Sequence, residues 1–352
     1  MSAQKTAGLV GVTGYTGMEL VRLLTGHPDL KLVAATSRAE AGKRLVDLYP
    51  YLAGTSLSDI VVSEPDPAAL ARTCDVVFLA VPHGAAMDTA GKLVDAGARV
   101  IDLSADFRLR DAAVYSQWYN LPHARTDLLA EAVYGLPELY ADQIKAARLV
   151  ANPGCYPTSA ILGLSPALQA GLVHTEDIVV DAKSGATGAG RKAGVPTLFC
   201  EVQDSFRAYS VAGKHRHTPE IEQECALAAG APLTLSFNPH LLPVNRGILS
   251  TIYTRLKTPA SAADIRSVYE TFYRDHPFVR LLPEGTLPET RWVRGTMYCD
   301  LGLALDSRTN RLIILSAIDN LCRGASGQAL ANANLMLGLP LGTGLPVAPL
   351  VP

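Results

Sequence analysis

Cys155 is the residue of this sequence whose surroundings best fit a chemical role. It lies in the segment NPGCYPT, where Gly154 precedes it and Pro157 follows two positions later. Proline suits the first position of a helix, because its missing N–H would be unpaired there, and the residues after Pro157 continue as a helix. The pattern predicts Cys155 just before a helix N-terminus, where the dipole and free N–H groups favour thiolate over thiol. Most isolated cysteines only fill space, but this one is predicted to be a nucleophile.

Two histidines in the segment AGKHRHTPEIEQE are candidates for the base that should accompany such a thiol. Thr218 followed by Pro219 predicts an N-cap and a first helical position, so His217 stands immediately before a helix. The positive end of that helix disfavours imidazolium and leaves His217 neutral near pH 7. His215 is predicted to bind an anionic group of the substrate. The sequence leaves open which of the two histidines is the acid/base.

The turn GVTGYTG near the N-terminus predicts a nucleotide-binding loop. It follows a strand-like segment and opens a helix inside a strand–helix–strand unit, which is the context that gives such a glycine pattern meaning. Glycines let the backbone turn tightly and approach a pyrophosphate, which the following helix N-terminus attracts. The predicted cofactor residues of this turn are Gly11, Thr13, Gly14, Tyr15, Thr16 and Gly17.

The end of the second predicted strand favours NADP(H) over NAD(H). A chain that prefers NAD carries Asp or Glu there to bind the ribose 2′-hydroxyl. This chain has Ser37 and Arg38, which can donate hydrogen bonds to a 2′-phosphate, and Glu40 falls beyond the strand end. A solvated surface arginine is the alternative interpretation of Arg38.

The apolar segments of the first half predict a parallel sheet covered on both faces by helices. Polar residues follow the predicted strands at their C-terminal ends, and ligands of open α/β sheets bind along that edge. Any one of these endings would fit an ordinary surface loop, but together they favour a site. These residues are Ser37, Arg38, Pro82, His83, Ser104, Arg108, Asn152 and Cys155, of which Ser104 and Asn152 are predicted substrate ligands.

A second glycine-rich segment, KSGATGAGRKAG, covers residues 183–194 and ends in basic residues. Such a loop can close over a cofactor or an anionic substrate, and a surface turn is the alternative. Ser184 and Gly185 are assigned to the cofactor, and Arg191 and Lys192 to the substrate. Asn320, in the segment DNLCRGASGQA, is a further polar candidate for the cofactor.

The pattern changes after about residue 155, where alternating segments close in sequence mix with helices. This predicts an α/β Rossmann-type domain over residues 1–154 and an α+β domain over residues 155–322. The C-terminal helical segment, about residues 323–352, is expected to return to the first domain.

Composition restricts the class of protein. The chain has 352 residues, a formal net charge of −2 and 48% hydrophobic residues, which fits a globular protein without a nucleic-acid-binding charge pattern. It has no apolar run long enough for a membrane span and no secretion signal. Its six cysteines form no CxxC pair and have no metal-ligand spacing, so free thiols, no metal and a cytoplasmic location are expected.

In order along the chain, the segments resemble those of the N-acetyl-gamma-glutamyl-phosphate reductase family. The matching segments are GVTGYTG, LYPYLAG, IDLSADFRL, NPGCYPT, SGATGAGRKA, HRHTPEI, PVNRGIL and DNLCRGASGQA, from about residue 8 to residue 338. The resemblance implies a catalytic and dimerisation domain like that of glyceraldehyde-phosphate dehydrogenase, and a homodimer or homotetramer.

The resemblance also implies the reaction. The Cys155 thiolate attacks the acyl phosphate of N-acetyl-5-glutamyl phosphate, phosphate leaves, and NADPH reduces the thioester to the semialdehyde. His217 is then the expected acid/base, Arg108 an anion ligand of the substrate, and Pro82 a neighbour of the nicotinamide.

Three other interpretations remain at this stage. A sister branch of the family reduces an aminoadipyl or glutamyl phosphate held on a carrier protein, but NPGCYPT and SGATGAGRKA favour the free N-acetylated substrate. Aspartate-semialdehyde dehydrogenase is disfavoured by HRHTPEI. A non-catalytic NADP-binding sensor needs neither the cysteine nor the histidine pair, and fold alone does not exclude it.

Overall fold

The computed structural model describes residues 4–351, so residues 1–3 and 352 of the predicted domains lie outside the described part. The chain divides into two compact units. Unit 1 comprises Met1–Pro153 and Ala325–Leu345, and unit 2 comprises Gly154–Gly324 and Pro346–Pro352.

Unit 1 is built on a six-stranded sheet in the order β2-β1-β3-β4-β6-β5, and all of its strand pairs are parallel. Two of its inner strands, β3 (VVFL) and β6 (LVA), are uninterrupted apolar runs, as expected where helices cover both faces of such a sheet. The Rossmann-type expectation is confirmed. The strands are β1 (Lys5–Val10), β2 (Leu30–Thr36), β3 (Val76–Leu79), β4 (Arg99–Asp102), β5 (Val133–Tyr134) and β6 (Leu149–Ala151).

The helices of unit 1 come from both ends of the chain. The C-terminal helix packs against α1, α7 and β4, and the Ser326 hydroxyl donates to the Thr16 carbonyl at 2.8 Å. The helices are α1 (Tyr15–Thr25), α2 (Leu45–Leu48), α3 (Pro67–Thr73), α4 (Ala86–Asp95), α5 (Ala112–Tyr119), α6 (Thr126–Glu131), α7 (Pro137–Ala146) and α12 (Gly327–Met336).

Unit 2 is built on a seven-stranded mixed sheet in the order β11-β12-β13-β10-β7-β9-β8. The pairs β7–β9 and β11–β12 are parallel and the remaining pairs are antiparallel, which confirms the expected α+β class. The strands are β7 (Val179–Gly185), β8 (Arg207–Ala208), β9 (Ser236–Leu242), β10 (Ile248–Arg255), β11 (Val279–Leu281), β12 (Cys299–Asp306) and β13 (Arg311–Ile318).

The core of unit 2 forms around one buried helix, α8, which packs on β10 and β13 and against α10 and α11. The Ser159 hydroxyl of α8 bonds the hydroxyls of Ser250 and Ser316 at 2.9 and 3.1 Å, so the helix is held to two strands by buried polar contacts as well as by apolar packing. The helices are α8 (Cys155–Gln169), α9 (Phe199–Val202), α10 (Thr218–Ala229) and α11 (Ala262–Tyr273).

Three chemical features of residues 4–351 bear on function. Each of the six cysteines is a free thiol. Across the described chain, no group of three or more His, Cys, Asp or Glu side chains is arranged to hold a metal ion. The helices of this part are all too short or too polar to cross a membrane.

Candidate active site

Cys155 is the first residue of α8 and is half-buried. The predicted helix start at Pro157 is wrong by two residues, because Gly154 in extended conformation is the N-cap and Pro157 is the third helical residue. The Gly154 carbonyl accepts the N–H and the hydroxyl of Thr158, both at 2.9 Å, and this closes the first turn early. The thiol therefore lies inside the turn whose N–H groups have no intrahelical partner, rather than just before it.

Because Gly324 has no side chain, there is space beside it for Cys155. A Cβ on Gly324 would lie 2.6 Å from the Cβ of Cys155, a distance that real Cβ atoms do not adopt. The Gly324 N–H donates to the Asp319 carbonyl at 2.8 Å, which fixes the backbone in this position. Gly324 was not predicted from the sequence. Its only signal was a glycine within DNLCRGASGQA.

Gly324→Ala is expected to displace Cys155 or to destabilise unit 2, because overpacking a filled interior costs about 1–3 kcal/mol. Thermal unfolding and the alkylation rate of Cys155 measure the two effects. Gly26→Ala is the matched control, since a Cβ on Gly26 meets no other part of the described chain within 4 Å. Wild-type stability together with a wild-type alkylation rate in Gly324→Ala would contradict the contact.

The two predicted histidines lie together at the N-terminus of α10. His217 is the N-cap and Thr218 the first helical residue, so the predicted N-cap at Thr218 is wrong by one position. The His217 N–H donates to Nδ1 of His215 at 3.0 Å, and the two ring centroids are 4.8 Å apart. The backbone of one histidine thus orients the ring of the other.

Burial lowers the pKa of His215 to about 4, and the neighbouring Arg216 acts in the same direction. His215 is therefore neutral at physiological pH. An unfolded histidine takes up a proton near pH 6.5, so the contribution of neutral His215 to stability is complete above that pH and is lost as the pH falls from 6.5 towards 4.

Aromatic rings connect the cysteine turn with the histidines. Tyr156, which follows Cys155, makes edge contacts with His215 at 5.7 Å and His217 at 6.1 Å between ring centroids. Tyr209 contacts the His215 ring at 5.5 Å, and its hydroxyl donates to the Tyr156 hydroxyl at 3.1 Å. The structure thus brings the turn of the predicted nucleophile to both histidines. Tyr156 and Tyr209 were not predicted from the sequence, because a tyrosine carries no signal of such a contact.

Glu220, in the first turn of α10, also reaches the cysteine turn. Its side chain is 1% exposed, and Oε1 accepts the Gly154 N–H at 2.8 Å. The contact between Glu220 and Gly154 was not predicted from the sequence.

The predicted nucleotide turn of unit 1 fits a pyrophosphate. Gly11 has φ of +91°, and a Cβ there would lie 2.3 Å from the Ala80 carbonyl oxygen, while a Cβ on Gly17 would lie 2.4 Å from the Gly11 oxygen. Gly14 differs, since it is the N-cap of α1 and a Cβ there would meet nothing closer than 4.0 Å. Gly11 and Gly17 are therefore required by close packing of the backbone, whereas Gly14 leaves open space at a helix N-terminus, where an anion binds well. Thr13, Tyr15 and Thr16 are half-buried beside it.

The end of β2 carries the two residues of the NADP interpretation, whose role in cofactor binding stays a prediction. Ser37 is buried just after the strand, and Arg38 is exposed. Glu40 pairs with Lys43 at 2.6 Å, so the nearby carboxylate is already engaged by a cation.

The predicted substrate ligands of unit 1 have structural partners within that unit. Arg108 Nε donates to the Asn152 carbonyl at 2.8 Å, and Asn152, which is fully buried, donates to the Ala325 carbonyl at 3.1 Å. The Ser104 hydroxyl donates to the Asp102 carboxylate at 2.7 Å. These bonds hold the strand ends together, and substrate binding by Ser104, Arg108 and Asn152 stays a prediction.

Two buried carboxylates missed by the sequence analysis organise the same edge. Burial, with the nearby charge of Asp106, raises the pKa of Asp102 to about 7. The Asp106 carboxylate accepts the N–H groups of Gly84 at 2.7 Å and Ala86 at 3.1 Å, and so holds the loop that carries the exposed Pro82.

The second glycine-rich segment of unit 2 brings three predicted cofactor residues together. Ser184 and Gly185 end β7, and a Cβ on Gly188 would lie 2.9 Å from the Ser184 hydroxyl and 3.8 Å from Nδ2 of Asn320. Asn320 accepts the Gly247 N–H at 2.8 Å, which ties its loop to the start of β10. The predicted substrate ligands Arg191 and Lys192 are exposed beyond this turn.

Two family models match consecutive parts of the chain. One is described as "Semialdehyde dehydrogenase, NAD binding domain" and matches residues 6–147, and the other as "Semialdehyde dehydrogenase, dimerisation domain" and matches residues 155–320. The fold and these matches define an oxidoreductase of the semialdehyde dehydrogenase class.

Curated relatives define the family more closely. N-acetyl-gamma-glutamyl-phosphate reductase of Geobacter sp. (strain M21) is 52% identical over 344 residues, covering 98% of this chain and 99% of the relative. The enzyme of the same name from Desulfotalea psychrophila is 51% identical over 347 residues, with the same coverage. This chain belongs to the N-acetyl-gamma-glutamyl-phosphate reductase family. It is an enzyme, and a purely sensory role is not supported.

Solved structures with much lower identity share the fold. Aspartate semialdehyde dehydrogenase II of Vibrio cholerae, complexed with ASA, aligns with a TM-score of 0.72 at 16% identity, over 96% of this chain and 99% of that chain. The Candida albicans aspartate semialdehyde dehydrogenase with NADP aligns with a TM-score of 0.70 at 18% identity, over 95% and 99%. At this identity the comparison shows the two-domain fold alone.

Proposed function

We propose that the protein reduces N-acetyl-5-glutamyl phosphate to N-acetyl-L-glutamate 5-semialdehyde and phosphate, with NADPH as the reductant, in arginine biosynthesis in the cytoplasm. The observation that carries the proposal is the half-buried Cys155 in the first turn of α8, with Tyr156 packed on the His215–His217 pair. The names of the relatives supply the substrate. The free thiols fit a reducing compartment.

The thiolate of Cys155 is the nucleophile of the proposed mechanism. Its sulfur forms a bond to the acyl carbon of the substrate, the bond from that carbon to the phosphate oxygen breaks, and phosphate leaves with the electron pair. The N-acetylglutamyl group is then held on Cys155 as a thioester. N–H groups in the first turn of α8 provide donors for the oxyanion that develops on the acyl oxygen.

His217 is the proposed acid/base. It takes the thiol proton when Cys155 ionises and holds it at the imidazole until the thiolate is released again. The helix that follows His217 disfavours the imidazolium form, so the proton is returned readily. A bound nicotinamide cofactor supplies the hydride that reduces the thioester carbonyl.

The cofactor residues are proposed in two groups, the first for the phosphates of the cofactor and the second for its nicotinamide end. Gly11, Gly14 and Gly17, with Thr13, Tyr15 and Thr16, hold the pyrophosphate, and Ser37 and Arg38 hold the 2′-phosphate. Pro82, Ser184, Gly185 and Asn320 are proposed for the nicotinamide end. The open space at Gly14 and the engaged carboxylate of Glu40 support the first group.

Arg38→Ala is expected to weaken NADPH binding relative to NADH by roughly 1.5–3 kcal/mol, the worth of a charge-assisted hydrogen bond. Dissociation constants for both cofactors, measured by quenching of protein fluorescence, give the ratio. Arg72→Ala, at an exposed arginine of the same unit, is the control. An unchanged NADPH/NADH ratio in Arg38→Ala would remove Arg38 from the cofactor site.

The substrate anion is proposed to be held by cations and neutral donors. Arg191 and Lys192 are exposed cations at the end of the glycine-rich segment, and neutral His215 can donate a hydrogen bond without a charge. Ser104, Arg108 and Asn152 complete the proposed set.

The proposed assembly is a homodimer or homotetramer, and neither nucleic acid nor a membrane is a proposed partner. Large apolar side chains stay exposed in the segment that follows the glycine-rich loop: Val195 is 66%, Phe199 75% and Phe206 69% exposed. Such a cluster is typical of a surface that another protein covers. Sedimentation velocity at two protein concentrations distinguishes two subunits from four.

Oxidation of N-acetyl-L-glutamate 5-semialdehyde with NADP+ and phosphate tests the function directly. We expect kcat/KM to exceed that for aspartate semialdehyde by at least about 100-fold, because the site must accept the N-acetyl group and the longer chain. Turnover of aspartate semialdehyde alone, or only of a carrier-bound glutamyl or aminoadipyl semialdehyde, would contradict the assignment.

A further inference from the structure

Glu220 connects the histidine helix to the backbone of the cysteine turn. It is the third residue of α10, three positions after His217, and its carboxylate accepts the Gly154 N–H at 2.8 Å while being 1% exposed. The distance is that of a full hydrogen bond, and the buried position protects the bond from competing water. Gly154 immediately precedes Cys155, so this bond acts on the residue that sets the direction of the thiol.

The helix α8 has no side chain of its own for this role. In a capping box, the third residue of a helix turns back to accept the N–H of the N-cap residue. The third residue of α8 is Pro157, which has no polar side chain. Glu220 of α10 supplies the missing acceptor from a different helix, and the two helices pack against each other.

The bond from Glu220 joins the backbone of the cysteine turn to the histidine helix, beside the contacts of the Tyr156 ring with His215 and His217. Thr158 of α8 itself binds the Gly154 carbonyl, and Gly324 lies against the Cβ of Cys155. Both contacts hold the turn to residues outside α10. The bond from Glu220 fixes it to the first turn of α10, the helix that follows His217.

We propose that Glu220 is a positioning residue that sets the distance and direction between the Cys155 thiol and the histidine pair. The inference rests on the proposed function for the reaction it serves. Glu220 acts through the reach of its carboxylate oxygen to Gly154 rather than through its negative charge.

Two conservative variants separate the length of the Glu220 side chain from its charge. In Glu220→Gln the amide oxygen can still accept the Gly154 N–H, but the charge is lost. In Glu220→Asp the charge is kept, but the side chain is one methylene too short. Glu222→Gln is the matched control, because Glu222 lies on the same helix and its carboxylate accepts the Leu235 N–H at 3.0 Å, a bond of the same kind elsewhere.

A positioning role predicts that Glu220→Asp lowers kcat by about 100-fold, the usual cost of an ångström of misplacement, with KM nearly unchanged. Glu220→Gln and Glu222→Gln should stay within about threefold of the wild type. The pH midpoint of Cys155 alkylation by iodoacetamide should rise by about one unit in Glu220→Asp, towards that of an ordinary cysteine, and stay in place in Glu220→Gln.

A lowered kcat in Glu220→Gln together with a wild-type kcat in Glu220→Asp would overturn the proposal. That result would mean that the negative charge of Glu220, and not the length of its side chain, is needed. Equal behaviour of the two variants, whether both normal or both impaired with intact circular dichroism, would overturn it as well. Alkylation needs no substrate. A wild-type enzyme that labels at Cys155 but does not turn over the N-acetylated semialdehyde therefore refutes the proposed function and leaves the test of Glu220 intact.

Discussion

Cys155→Ser is expected to lower kcat for the NADP-dependent oxidation of N-acetyl-L-glutamate 5-semialdehyde by about a thousandfold or more. A serine hydroxyl stays protonated at neutral pH even in the first turn of α8, so the nucleophile is lost. An oxygen ester would also be a less reactive acyl intermediate than a thioester. Initial rates with saturating semialdehyde, cofactor and phosphate measure the effect.

Cys200→Ser is the matched control for this variant, because Cys200 is an exposed thiol of the same unit. It should keep the wild-type rate, and both variants should keep the wild-type thermal unfolding midpoint. Comparable rates for Cys155→Ser and the wild type would exclude covalent catalysis at this position.

His217→Asn is expected to lower kcat by about 10²–10⁴-fold, the range in which general acid–base catalysis contributes. Asparagine keeps a polar side chain at the N-cap of α10, so the helix should be retained while the proton acceptor is removed. The variant should also change the pH dependence of kcat/KM, because the residue that accepts the thiol proton is removed. Rate profiles from pH 5 to pH 8 for the wild type and the variant make the comparison.

His215→Asn is the control for this prediction. His215 is half-buried against Tyr156, Tyr209 and Phe237, and its low pKa keeps it neutral across the same range. Its loss should therefore raise KM more than it lowers kcat. If His215→Asn abolishes turnover and His217→Asn does not, the two roles are exchanged.

The first unit could be predicted closely from the sequence. VVFL is apolar over the whole strand and LVAAT and RVID contain shorter apolar runs, while GVTGYTG falls at a strand-to-helix junction, so both sheet and loop have local signals. The two-residue strand β5 has no such signal. It exists because Val133 and Tyr134 pair with the edge of β6.

Helix starts in the site were predicted one or two residues off because a proline was placed at the first helical position. Pro157 is instead the third residue of α8, and Pro219 the second residue of α10. Proline is tolerated throughout a first turn, where no N–H is needed for the helix, so its position alone does not fix the cap.

The contacts that complete the site come from residues far apart in the sequence. Glu220 binds Gly154, and Gly324 lies against Cys155, and neither pair follows from any local pattern. Polarity at a strand end is also ambiguous, because Arg108 has the residue type of an anion ligand and yet donates to the carbonyls of Asn152 and Leu103.

The covalent attachment of substrate to Cys155 is the claim on which the mechanism depends. The direct measurement is mass spectrometry of acid-quenched enzyme after incubation with N-acetyl-L-glutamate 5-semialdehyde and NADP+ in the absence of phosphate. We expect one N-acetylglutamyl group per chain, on the peptide that contains Cys155, and its release when phosphate is added. An unmodified Cys155 in enzyme that turns over when phosphate is present, or an acyl group on another residue, would contradict the account.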